Sequence, residues 1–107
     1  MELIICSSIW YKDLKLKRPD ILDGFRPVNV DRGVVFSGWR HPNCMYQMCA
    51  IFGLRSVKSE VGEFVQGFTT SKNRFVDRKE GYLISKLSNQ LKDDFEGKDT
   101  LFSEDIY

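Results

Sequence analysis

The chain has 107 residues, enough for one compact domain and too few for two, so residues 1–107 are read as a single domain. Its 42% hydrophobic and 29% charged content suits a folded globular domain and excludes wholesale disorder. A formal net charge of +1 excludes a global field that would draw the protein onto a nucleic-acid polymer or a membrane, so any anion site must come from local clustering. The apolar runs, such as Leu3 to Cys6 and Ala50 to Leu54, are too short to span a bilayer. Met1 to Ile5 carries no basic region and no cleavage-site pattern, so no signal peptide is expected. The three cysteines, Cys6, Cys44 and Cys49, lie in apolar surroundings, which suits reduced thiols in a cytosolic protein better than a disulfide framework.

In chain order, residues 2–12 (Leu3-Ile4-Ile5-Cys6, then Ser7 to Tyr11) are rich in β-formers without a breaker and predict a first strand. Residues 13–32 carry many charges with Pro19, Gly24 and Pro27, and predict a long irregular excursion with a helical turn near Pro19 to Leu22. Gly33 to Trp39 predicts a second strand, antiparallel to the first. Pro42 suits a helix start, where its missing N–H has no intrahelical partner. Residues 42–54 then place Met45, Met48, Cys49, Ile51 and Phe52 at helical spacing, with Gly53 as C-cap.

Residues 55–60 predict a charged connection. Val61 to Phe68 predicts a third strand with a bend or close backbone approach at Gly67. Arg74 to Val76 predicts a fourth, joined by a hairpin in which Asn73 takes the left-handed conformation. Asp77 is a helix N-cap and Glu80 its capping-box partner. The helix to about Leu91 is expected to turn Tyr82, Leu83, Leu87 and Leu91 to the core. A charged loop over 92–100 precedes Leu101 to Tyr107, whose bracketing apolar residues predict a packed end rather than a free tail. The element order predicts an α+β domain, a small antiparallel sheet packed with two main helices.

Three groups of residues carry candidate chemistry. Arg40-His41, at a strand end just before a helix, can form an anion clamp of guanidinium fork and helix N–H groups. Equally, Arg40 can pair with Glu104 or Asp105 while His41 serves as a cap. Lys72, Arg74 and Arg78, interleaved with Phe68 and Phe75, suit a ligand with both phosphates and a flat base; alternatively the rings are core and the cations solvated. Asn89-Gln90 can read a base edge or face solvent, and Glu104-Asp105 can bind ribose hydroxyls or orient an arginine. His41 and Cys44 lack two further ligands at recognisable spacing, so no metal site is expected. No cofactor-binding or catalytic motif occurs.

Taken together, IICSSIWY, SGWRH, QGFTTSKNRFVDRKEGYLIS, NQL and LFSEDIY form an ordered series that covers about half the chain and extends from end to end. The series resembles a group of small bacteriophage proteins patterned as apolar strand, G-x-RH, GF…GRFVDREEA, GQ and LFSEDLY, the phage anti-Thoeris sponge family (Thoeris anti-defence protein 1). The resemblance implies a non-catalytic host-virus role in the bacterial cytosol: sequestering, without degrading, a cyclic ADP-ribose isomer made by TIR-domain immune proteins. It further implies cyclic oligonucleotides as ligands of some members, and homo-oligomers, dimeric or higher. Arg40 and His41 match RH. Phe68, Arg74, Phe75 and Arg78 match the GF and RFVDR positions, and Ser103, Glu104 and Asp105 match the last block. On that basis Arg40, Arg74 and Arg78 would hold the pyrophosphate, and Phe68, Phe75 or Phe102 would stack on adenine. Asn89, Glu104 or Asp105 would contact ribose or base edges. Asn73 and Asn89 stand where glycine is usual, and Gly81 where alanine is. The alternatives are a phosphodiesterase or glycohydrolase using His41 or the acids, and a protein-interaction module with a basic face.

Overall fold

A computed structural model describes residues 1–54, 61–96 and 99–107. Four strands form one antiparallel sheet: β1 (Ile4–Tyr11), β2 (Val34–Gly38), β3 (Phe64–Thr70) and β4 (Phe75–Asp77), in the order β2-β1-β3-β4. Helix α1 (Pro19–Leu22) is one turn, α2 (His41–Phe52) follows β2, and α3 (Arg78–Leu87) follows β4. A 3-10 turn, Ser103–Asp105, lies near the end. The expected α+β architecture is what the chain adopts. Among the described residues no helix is long and apolar enough to cross a membrane.

Helices α2 and α3 both pack on one face of the sheet and divide the core between them. Ile9, Tyr11, Phe36, Cys44 and Met48 form the half under α2; Ile4, Phe68, Val76, Ile84 and Leu101 form the half under α3. Strand alternation puts Ser7, Ile9 and Tyr11 on that face. Ile4 would fall on the other side, but a register shift between Ile4 and Cys6 inserts one extra residue in β1 and turns Ile4 inward, leaving Ile5 exposed.

Local signals held up well. Asp77 caps α3, its side chain accepting from the Glu80 N–H at 2.8 Å, while the Glu80 carboxylate pairs with Arg74 instead of completing a capping box. Gly53 ends α2 with φ +64°. Asn73 and Asn89 both have positive φ, 56° and 59°, so each asparagine supplies the left-handed conformation the pattern otherwise gives to glycine. The expected helix end at about Leu91 is thereby corrected, since Asn89 stops α3 at Leu87: Gln90 N–H donates to Ser85 O and Asn89 N–H to Lys86 O, a Schellman closure.

Three expectations need correction. The third strand begins at Phe64, not Val61, because Gly62 takes φ +71°, incompatible with a continuous strand. Ile51 is exposed on α2; the inward row is Cys44 and Met48, with Met45, Cys49 and Phe52 beside it. On α3 Leu83 and Leu87 face out, Leu87 being 81% exposed, whereas Gly81, Ile84 and Ser85 are buried. Gly81 explains the rotation. A Cβ there would stand 3.0 Å from the Phe68 ring, so the missing side chain lets the helix lie close on that ring. The charged connection at 55–60 falls outside the described residues.

The long excursion first packs Leu14 into the core half under α2 and then closes the β4 edge of the sheet. Asn29 Oδ1 accepts from Phe75 N–H at 2.8 Å and Asn29 Nδ2 donates to Phe75 O at 2.6 Å, so one side chain stands in for a neighbouring strand beside β4. Asn29→Ala is therefore expected to cost roughly 1–3 kcal/mol, because both backbone groups lose their partner. A urea unfolding curve measures it, and an unchanged midpoint would mean that water replaces the amide.

Candidate functional site

The site forms where the β2–α2 junction, the start of α3 and the last seven residues meet. Arg40 is the N-cap residue of α2, extended at φ −125° and ψ 160°, with its N–H donating to Asn43 Oδ1 at 2.9 Å. The side chain thereby runs away from the helix toward the terminal segment. There Arg40 Nη1 donates to Ser103 Oγ at 3.3 Å and Nη2 to Tyr107 O at 2.7 Å. The guanidinium carbon lies 5.0 Å from the Trp39 ring centre and 5.4 Å from that of Tyr107, within cation–π range. Tyr107 is fixed in turn by Ser7, whose N–H donates to the phenol oxygen at 3.0 Å. Ser7 Oγ donates to Trp39 O, which leaves the Tyr107 hydroxyl to donate to Ser7 Oγ at 2.9 Å.

The second arginine, Arg78, opens α3. Its Nη2 donates to Gln66 Oε1 at 2.5 Å and its Nη1 to Leu101 O at 3.1 Å, and the guanidinium lies 4.3 Å from the centre of the half-exposed Phe102 ring. Each guanidinium thus spends one N–H of each Nη on its own chain and keeps further donors. Glu104 sits within electrostatic reach of both arginines. Its carboxyl is held below the usual range, first by its own backbone N–H, then by Arg40, the Ser103 hydroxyl and Arg78. Burial lowers the Arg78 pKa, an effect that Glu104 and Asp105 oppose. Asp105 also accepts from Phe102 N–H at 2.8 Å, which sets the turn that presents Phe102.

His41 lies beneath this cluster, buried, with its Nε2 hydrogen-bonded to Gly67 O at 2.8 Å and its ring edge-on to Phe68. Burial, and secondarily Arg78, push its pKa down, so the neutral imidazole is favoured, with Nε2–H as donor. Phe68 is fully buried below it. These two residues support the site from underneath and present no surface to a ligand. Arg40, Arg78, Phe102, Ser103, Glu104 and Asp105 are brought together above them.

The remaining sequence candidates have other contacts. Arg74 makes a two-pronged pair with Glu2, both bonds 2.9 Å, and a further pair with Glu80 at 3.0 Å. Phe75 lies on the opposite face of the sheet, edge-on to Trp10 at 5.9 Å. Asn89 is the helix-closing residue, and its neighbour Gln90 clips both backbone groups of Ile4, at 2.8 and 2.9 Å. The Arg74 pair has a consequence for acid stability. Glu2 is lowered from 4.5 to about 2, chiefly by Arg74 and next by Thr70. A depressed carboxylate contributes fully above its unfolded value and loses that contribution as pH falls toward the folded one. Stability is therefore expected to drop between about pH 4.5 and 2 in the wild type and less steeply in Glu2→Gln, as read by urea midpoints across that range. Parallel slopes would contradict the assignment.

Sequence reasoning missed Trp39, Gln66 and Tyr107. Trp39 had a local signal, an aromatic next to Arg40; Gln66 and Tyr107 join the site only through tertiary contacts. A cavity of about 1050 Å³ lies apart from all of these, between Leu14 to Leu22 and the Ile51 to Leu54 end of α2. It gathers none of the residues that the arginines organise. Among the described residues no group of three or more His, Cys, Asp or Glu could hold a metal ion.

Residues 3–107 fit the family model described as Phage T4 y16D protein, nearly the whole chain, so the protein belongs to that family. No curated protein and no solved structure matches the chain significantly.

Proposed function

We propose that this member of the phage T4 y16D family is a counter-defence sponge acting in the host cytosol. It binds a cyclic ADP-ribose isomer, holds it intact and so withdraws it from TIR-domain immune signalling. Family membership supports a phage origin; the ligand rests on the site and on the sequence resemblance described above. The observation that carries it is the convergence of Arg40 and Arg78 above a buried floor, each guanidinium within 5.0 Å of an exposed aromatic ring. Guanidinium forks suit a pyrophosphate, exposed rings suit a base, and the Glu104 carboxylate suits ribose hydroxyls. Arg74 is engaged by Glu2 and Glu80 and stands outside this reading of the anion site. Cyclic oligonucleotides present the same combination of base and phosphate and are a second ligand class for the pocket. Assembly into dimers or higher homo-oligomers follows from the sequence resemblance.

Binding without turnover fits the chemistry of the cluster. A general acid–base residue must reach the proton it moves, and His41 is buried with its Nε2 tied to a backbone carbonyl. The Glu104 carboxyl accepts from the Ser103 hydroxyl and Asp105 accepts from Phe102 N–H, so both acids are engaged within the terminal turn. The test is to mix the protein in molar excess with the cyclic ADP-ribose isomer and follow the small molecule by chromatography over hours. Free ligand is expected to fall at once with no product. Steady product formation would instead identify a phosphodiesterase or glycohydrolase, and unchanged free ligand would leave a protein-interaction module.

A further inference from the structure

Trp39 is 65% exposed, an unusual state for the residue type that contributes most apolar area when buried. Its exposure is built in rather than left over. It occupies the single position between Gly38, the last residue of β2, and Arg40, the N-cap of α2, and its carbonyl is anchored by Ser7 Oγ at 3.0 Å. The ring is backed by Arg40 at 5.0 Å and by Tyr107, with centres 6.4 Å apart and planes tilted by 32°. Two neighbours thus hold the indole, while its exposure leaves broad ring surface in water. An aromatic surface held in place at a guanidinium pays little ordering entropy when a flat group stacks on it.

From this we infer that Trp39, rather than Phe102, is the platform on which the base of a bound nucleotide stacks, while the adjacent Arg40 takes its phosphate. The inference rests on the nucleotide-binding reading and adds the base subsite to it. Indole covers a purine more completely than phenyl does and carries the stronger π-face. Phe102, half exposed above Arg78, is left to shield the second guanidinium from water. Because stacking is indifferent to base-edge chemistry, this subsite accepts any purine, and discrimination falls to Glu104 and the arginines.

The experiment compares wild type, Trp39→Ala, Trp39→Phe and Phe102→Ala by calorimetric titration with two probes, the cyclic ADP-ribose isomer and inorganic pyrophosphate. Trp39→Ala is expected to weaken the nucleotide by roughly 10- to 100-fold, the size of one base–aromatic stack, with Trp39→Phe restoring most of it. Pyrophosphate affinity is expected to stay the same in the wild type and both Trp39 variants, whereas Phe102→Ala, which uncovers Arg78, is expected to weaken both probes alike. Nucleotide affinity unchanged in Trp39→Ala would overturn the inference and leave the nucleotide reading standing. An equal loss for pyrophosphate would overturn it too, by showing that Trp39 acts only through Arg40. No nucleotide binding by the wild type would remove the underlying reading and this inference with it. Trp10 and Trp39 are the two tryptophans, so Trp10→Phe leaves Trp39 as the sole indole and gives a readout with Trp39 in place. Its emission is expected to be quenched by the nucleotide and not by pyrophosphate, and an unquenched, saturated complex would overturn the inference.

Discussion

Replacing Arg40 and Arg78 together by alanine is expected to weaken binding of the cyclic ADP-ribose isomer by about 3–6 kcal/mol, or roughly 10²- to 10⁴-fold. Each guanidinium offers charge-assisted hydrogen bonds to phosphate oxygens, worth about 1.5–3 kcal/mol apiece where water is partly excluded. The two do not contribute alike. Arg40 is tethered by Ser103 and Tyr107, and Arg78 by Gln66 and Leu101. Arg78→Ala also strands the Gln66 amide and uncovers Phe102, so that variant loses thermal stability as well as affinity. Arg40→Lys keeps the charge and loses the fork, and is expected to recover only part of the binding. Calorimetry on the single and double variants, with melting temperatures alongside, separates the two effects. Equal affinity in the double variant and the wild type would place the anion site elsewhere.

The largest effect on folding is expected at Gly67. A side-chain carbon there would collide with the carbonyl of Val76 on β4 and with the Phe75 ring. The obstacle is backbone held in the β3–β4 ladder, which cannot swing aside as a flexible side-chain tip would. The Gly67 carbonyl is also the acceptor for His41, so any shift of β3 pulls on the floor of the site. Gly67→Ala is accordingly expected to destabilise the domain by roughly 3 kcal/mol or more, through overpacking and the lost His41 bond together. Chemical unfolding measures it. A stability within about 0.5 kcal/mol of the wild type would mean that β3 and β4 separate there at little cost.

The fold was legible where short-range chemistry decides it. Asp77, Gly53 and the left-handed Asn73 announce helix ends and a turn through interactions a few residues long, whereas Asn89 reads as part of the helix that it in fact ends. Inward faces were harder. Leu83 and Leu87 have the periodicity of a core row, yet buried Gly81 and Ser85 set the contact face of α3, because a helix lies closest where its side chains are smallest. The role of the 13–32 excursion was not readable at all, since it depends on Asn29 meeting Phe75, 46 residues away. At the site, Arg40 and the terminal block were legible as separate fragments. Their meeting is a tertiary event, made by Ser7, Tyr107 and the Ser103 turn across as many as 100 residues. Trp39 reads as the last residue of the second strand, and its exposed place at the β2–α2 junction appears only where that strand ends at Gly38.

The most direct test of the sponge is recovery of its cargo. The wild-type complex with the cyclic ADP-ribose isomer is freed of unbound ligand by filtration, heat-denatured, and the released small molecule identified by mass and retention time. The account predicts release of the unchanged cyclic molecule in amounts near the binding stoichiometry, and none from the Arg40→Ala, Arg78→Ala double variant. Release of a linear or otherwise cleaved product, or equal release from the double variant, would contradict it.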